Sequence, residues 1–215
     1  MRALVSCCCA TIICGPALAA SSVVDNERVE VWDYALSKGA VAPATPEDMD
    51  SVTMFLEGGT VRTQNRDGIV TTATRKFGDA VFNPKGSANV DTALSDDVRE
   101  VVIGLKDAKG PPPNPPTAGV PISFPRLGAE KTLEGDRFLV WRFNWVKGVP
   151  VPMHHHDKDS VMVFRYNGTL QSTAPSGDAR DIPFKQGQVN FSKAGITHTE
   201  TLITDHQSAV DLELK

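Results

Sequence analysis

The chain has 215 residues, with 22 lysines and arginines against 26 aspartates and glutamates, for a formal charge of −4. That acidic balance argues against nucleic acid as a partner. Beyond residue 20 no apolar run is long enough to span a bilayer, and no basic run marks a membrane surface.

Residues 1–19 are expected to be a signal peptide. Arg2 supplies a positive charge, residues 3–14 form an apolar run too short to cross a membrane, and Ala17-Leu18-Ala19 is a small-x-small cleavage site. The mature chain then begins at Ala20, one unit more negative, and is periplasmic or secreted. All four cysteines, Cys7, Cys8, Cys9 and Cys14, fall in the removed segment. The mature protein therefore has no disulfide and no thiolate, and any metal must be held by nitrogen and oxygen.

From about residue 28 to the C-terminus the sequence repeats itself at an offset of 109 residues without a gap. Val31-Trp32 matches Val140-Trp141, Lys38-Gly39 matches Lys147-Gly148, Asp50-Ser51-Val52 matches Asp159-Ser160-Val161, and Leu105-Lys106 matches Leu214-Lys215. Residues 20–108 and 122–215 are thus two copies of one domain. Residues 109–121, rich in prolines that lack an N–H, read as a stiff extended connector. Within each copy, short alternating stretches are punctuated by Gly, Pro, Asn and Asp, which predicts antiparallel strands and an all-β protein of two barrels or sandwiches. Strands are expected over 28–37, 52–56, 80–83 and 98–105, and at the same positions shifted into the second copy.

All five histidines lie in the second copy. Alternate side chains of an extended strand share a face, so His154 and His156 can meet on one ion while His155 points away. His198, from a distant strand, is the candidate third ligand, completing a triad that leaves coordination positions open for water or substrate. The first copy carries Thr45, Glu47 and Asn89 at those three positions, and is expected to bind no metal.

The surrounding pattern resembles the two motifs of the cupin family. Gly148, His154, His156 and Gly168 keep the spacing of the first motif, and Gly187, Gly195 and His198 that of the second, with Lys193 in the place of a proline. Gly78, Pro84 and Gly86 repeat the second motif in the first copy, with Asn89 in the histidine place. The resemblance implies two tandem cupin-type β-barrels, jelly-roll-like double-stranded β-helices, of which the first has lost its metal ligands. The glutamate that many cupins use as a fourth ligand falls on Val161, or on Ser160 with the shorter spacing. Asp159 and Glu200 are stand-ins, but the first copy keeps acids at both places, Asp50 and Asp91, where its histidines are gone. A three-histidine site is therefore favoured. It resembles the thiol- and diketone-dioxygenase branch and points to one divalent ion, with iron ahead of zinc, manganese, nickel and copper, which would also accept imidazoles.

Val161, Val163 and Arg165 continue an apolar row that in the first copy reads Val52, Met54 and Leu56, and this row is expected to face the barrel interior. The competing arrangement turns Met162, Phe164 and Tyr166 inward. Arg165 and Tyr166 are accordingly the substrate-binding candidates, Arg165 as a clamp for a carboxylate. The expected function is a metalloenzyme acting on a small molecule, with dioxygenase, lyase or isomerase chemistry. The alternative is a binding or metal-handling protein without turnover. Neither needs a protein partner, and both leave room for a homodimer.

Overall fold

Short alternating segments broken by turn residues satisfy their backbone N–H and C=O groups by lateral pairing. The computed structural model describes residues 22–110, 115 and 118–215, and in these the chain is all strand and turn, without helix. The expected signal peptide, its cysteines and part of the proline-rich connector lie outside the described residues.

Eight strands come from the first copy: β1 (Val24–Asp25), β2 (Val29–Leu36), β3 (Asp50–Glu57), β4 (Gly59–Gln64), β5 (Val70–Arg75), β6 (Ala80–Asn83), β7 (Val90–Ala93) and β8 (Val98–Leu105). Nine come from the second: β9 (Ala129–Glu134), β10 (Phe138–Trp145), β11 (Pro150–His155), β12 (Ser160–Phe164), β13 (Gly168–Thr173), β14 (Ala179–Phe184), β15 (Val189–Ser192), β16 (Thr197–Leu202) and β17 (Gln207–Leu214). Each copy builds one five-stranded and one smaller antiparallel sheet. The orders are β1-β2-β8-β3-β6 with β5-β4-β7, and β9-β10-β17-β12-β15 with β14-β13-β16-β11. The repeat offset carries β4, β5, β6 and β8 onto β13, β14, β15 and β17 residue for residue. It fails at β11, whose counterpart in the first copy is reduced to a single bridge between Val41 and Thr92.

Alternation then distributes side chains over four stacked layers. Tyr34, Leu36, Phe55, Val98 and Val102 meet Val61 and Ala93 inside the first barrel. Trp141, Phe143, Trp145, Phe164 and Ala209 meet Leu170, Phe184 and Leu202 inside the second. The opposite faces of the two five-stranded sheets pack on each other, joining Val31, Val52, Met54, Leu56, Val101 and Ile103 to Val140, Val161, Val163, Val210 and Leu212. This corrects the expected orientation of one row. Val161, Val163 and Arg165 face the other barrel, and it is Met162 and Phe164 that turn inward. A row as apolar as Val52, Met54 and Leu56 fits a sheet-to-sheet interface as readily as a barrel interior, so hydrophobicity alone could not assign its side.

Polar ties cross the same interface. Arg28 of the first copy reaches Asp159 of the second at 2.8 Å, with side chains only 8% and 2% exposed. The turn glycines of the repeated motif, Gly78 and Gly187, have positive φ of 84° and 73°. Each also presses on an arginine of the other copy. A Cβ at Gly78 would lie 2.3 Å from Cδ of Arg142, and one at Gly187 1.9 Å from the guanidinium of Arg99. Only glycine meets both demands, the left-handed backbone and the close approach.

Candidate metal centre

The site lies on the inner face of the smaller sheet of the second barrel. β11 and β16 pair antiparallel with His154 directly opposite His198 and His155 opposite Thr197. The chain leaving β11 stays in place because the His156 amide donates to the Ile196 carbonyl at 2.8 Å and the Gly195 amide donates to the His156 carbonyl at 2.8 Å. The three imidazoles consequently form a nearly equilateral triangle. Ring centroids lie 5.1 Å apart for His154 and His156, 4.8 Å for His154 and His198, and 5.1 Å for His156 and His198. His155 is excluded from it as alternation requires. That ring is buried on the other side, with Nδ1 2.8 Å from the Thr197 hydroxyl.

Glu200 joins the triangle, and this departs from the three-histidine arrangement favoured by the sequence. Ligand atoms of His154, His156, His198 and Glu200 all lie within 4.8 Å of one another. One carboxylate oxygen, Oε1, is 3.5 Å from His198 Nε2. The other accepts from the Trp145 indole N–H at 3.1 Å and from the Arg126 guanidinium at 3.3 Å. Asp159, the other stand-in, is occupied elsewhere: one oxygen binds Arg28 and the other accepts the Ala194 amide N–H at 2.9 Å. The first copy misled because its acid answers a different neighbour. Asp91 sits against Glu100, whose carboxyl burial and Asp91 together push up to about 9. The residue matching Glu100 in the second copy is Ala209, which leaves Glu200 free to face the histidines.

Arg126 carried no sequence signal. It arrives because residues 121–124 run beside β11, with the His155 amide donating to the Pro121 carbonyl at 2.9 Å and the Ser123 amide to the His155 carbonyl at 2.8 Å. Phe124 then enters the aromatic core, and Arg126 stacks over Phe124 at 4.9 Å and Phe143 at 4.3 Å before reaching Glu200.

The protonation states suit ligation. His154 Nδ1 lies 2.8 Å from the Pro152 carbonyl, which only accepts, so Nδ1 carries the proton and Nε2 presents a lone pair. That Nε2 is buried and has no hydrogen-bond partner. His198 is steered through its Nδ1, 2.8 Å from the Ser172 hydroxyl, leaving Nε2 3.1 Å from Nε2 of His156. Burial pushes His154 down to about 4 and His156 down to about 3, and it lowers His198 as well, so the rings are neutral near pH 7. Burial alone would raise Glu200, but Arg126 and the histidines outweigh it and hold the carboxylate below its usual range. Three neutral imidazoles and one carboxylate converging in a buried space are a donor set that fits a divalent cation.

The remaining sequence candidates lie elsewhere. Arg165 pairs with Glu57 of the first copy at 3.2 Å and stacks over Phe77 at 4.4 Å, both at the interface between the barrels. Tyr166 sits edge-on against exposed His206, ring centroids 4.6 Å apart. In the first barrel, the Thr45 hydroxyl accepts from the Asn89 amide N–H at 2.9 Å, and the Asn89 side chain donates to Asn83 at 2.8 Å. Glu47 points outward to Arg66. β17 adds two buried acids to the interior of the second barrel: Asp211, which burial pushes up to about 8, and Glu213, which accepts from the Trp141 indole at 2.9 Å.

Two face-to-face barrels, with a histidine and glutamate cluster inside the second, define a bicupin. The fold is that of cupin barrel proteins. No protein-family model matches it. A β-alanine degradation protein, BauB of Pseudomonas aeruginosa, is 37% identical over 76 residues, which are 35% of this chain and 77% of that protein, and the two are members of one family. A cupin 2 conserved barrel domain protein from Leptotrichia buccalis superposes with a TM-score of 0.56 at 12% identity, over 94% of this chain and 92% of its own. The oxalate decarboxylase of Bacillus subtilis, described with Mn(II) centres, does so with a TM-score of 0.62 at 11% identity, over 87% of this chain and 69% of its own. At such identities the two structures speak for the fold alone.

Proposed function

We propose that the protein is an exported, metal-dependent bicupin acting on a small molecule, with one divalent ion held by His154, His156, His198 and Glu200. The observation that carries this is the buried, partnerless Nε2 of His154, aimed into a group whose other ligand atoms lie within 4.8 Å. A buried acceptor left unsatisfied costs about 1–3 kcal/mol, and coordination removes that cost. The carboxylate changes the choice of metal. With Glu200 in the set, the argument for iron from three histidines loses its basis, and a harder N3O set suits Mn(II) as well as Fe(II).

When bound, the ion supplies Lewis-acid polarisation of a substrate oxygen or a platform for oxygen chemistry, consistent with dioxygenase or lyase and isomerase reactions. The chain's own contribution is to hold the ligands. Pro152 fixes the His154 tautomer, Ser172 orients His198, and Trp145 and Arg126 keep Glu200 ionised and turned inward. The breakdown of β-alanine named for the relative makes small metabolites the first substrates to screen. Metal analysis of protein recovered from the periplasm or medium tests the reading. One manganese or iron per chain, lost in His154→Ala, is expected, and a mature N-terminus at Ala20 by intact mass. Two metals per chain, or retention in His154→Ala, would reject it.

A further inference from the structure

We infer that Arg180 is a specificity residue that binds a carboxylate of the substrate at the entrance to the metal cluster, so that the ligand is a small organic anion. This deepens the proposed function and rests on it. β14 is the edge strand of the sheet that carries the cluster. The register places Arg180 directly opposite Ser172 on β13, and Ser172 directly opposite Glu200 on β16. Residues directly opposite in antiparallel strands project from the same face, so Arg180 stands on the face that bears the histidines and glutamate, two strands out from Glu200.

A cavity of about 360 Å³ opens along this row, lined by Ser172, Asp178, Arg180, Ile196, Thr197 and His198 among others. It borders one edge of the cluster, since His198 is both a wall of the cavity and a member of the triangle. Its volume suits a molecule of few heavy atoms. Asp178, the acid that shares the cavity, makes no ion pair with the arginine among the described residues, and its carboxylate accepts the Ser176 hydroxyl at 2.7 Å. The Arg180 side chain forms no ion pair or hydrogen bond among the described residues, whereas those of Arg28, Arg126, Arg142 and Arg165 all do. The first copy carries Thr71 at the matching position, so the cation accompanies the histidines. A guanidinium matches a carboxylate in shape and charge, and its fork leaves the rest of the ligand directed inward past His198.

The test uses propanoate and its uncharged isostere propanamide, titrated by calorimetry into wild type, Arg180→Gln and Arg180→Lys, each with and without added Mn(II). Propanoate should bind wild type at least fivefold more tightly than propanamide. Arg180→Gln should erase that preference, and Arg180→Lys should restore part of it, because partial exposure of the site limits the pair to this scale. Equal binding of the two probes to wild type, a preference that survives in Arg180→Gln, or no propanoate binding to either form would overturn the inference. Metal content, measured on the same wild-type sample, judges the proposed function separately. Propanoate binding through Arg180 in a protein that takes up no metal would keep this inference and sink that one.

Discussion

Replacing Arg28 with methionine removes the guanidinium that neutralises Asp159 across the interface of the two barrels. The pair is 2.8 Å apart with both side chains nearly out of solvent. At an effective dielectric near 20, charges about 4 Å apart attract by about 4 kcal/mol. Breaking such a buried pair by removing one partner costs about 3–5 kcal/mol, because the other charge stays buried. Asp159 retains its bond from the Ala194 amide at 2.9 Å and feels the Lys193 amine nearby, which places the expected loss at the lower end, about 3 kcal/mol. Adding Asp159→Asn removes the stranded charge, so the double variant should recover at least half of that loss. Urea unfolding followed by fluorescence reads both halves, since Trp32 lies in the first barrel and Trp141 and Trp145 in the second. Asp159→Asn should also hold metal at the wild-type stoichiometry. A loss below about 1 kcal/mol in Arg28→Met would refute the electrostatic argument, and metal loss in Asp159→Asn would refute the assignment of Asp159 to structure.

Glu200→Gln keeps the size of the side chain and removes its charge, so metal affinity should drop about 10- to 100-fold in competition with a chromophoric chelator; unchanged affinity would return the site to three histidines. His154→Ala should abolish binding outright. His155→Ala should leave stoichiometry intact yet lower stability by about 1–3 kcal/mol, since its buried bond to Thr197 is lost; a metal defect in this variant would contradict the strand geometry. Because neutral imidazole binds metal and protonated imidazole does not, the lowered values of His154 and His156 move proton competition to more acid pH. Affinity should stay level from about pH 7.5 to about 5.5 and fall below about pH 5, and half-release near pH 6.5 in an equilibrium titration would count against it.

Much of this was legible because a repeat reports its own errors. Alternation placed β6 and β8 to the residue, the 109-residue offset carried them onto β15 and β17, and the absence of histidines from the first copy marked His154, His156 and His198 as a set. The same comparison failed where a residue's role depends on a partner far away in sequence. Glu200 shares the alternation of His198 and could have been placed beside it by that rule, but Asp91 suggested a common structural purpose that Glu100 now explains. Arg165 looked like a cation in a cavity only because its row was expected to face the barrel interior, when it faces the other barrel. Arg126 was invisible, since its position depends on how the connector re-enters beside β11. Arg180 and Thr71 differ in the open, yet one exposed cation among many gives no reason to choose it until strand register aligns it with Glu200.

The apolar seam between the two five-stranded sheets has a consequence for which parts of the first barrel can drift. Its interior carries Thr45 and Asn89 where the second copy has histidines, so substitutions around them need only keep that barrel folded. Its outer face has no such freedom, because Val52, Met54, Leu56, Val101 and Ile103 are the surface on which the barrel with the histidine cluster rests. Joined in one chain, the two faces meet at an effective concentration fixed by the connector, and their association does not weaken on dilution. The copy without histidines thereby serves as a tethered template, tolerant within and constrained without.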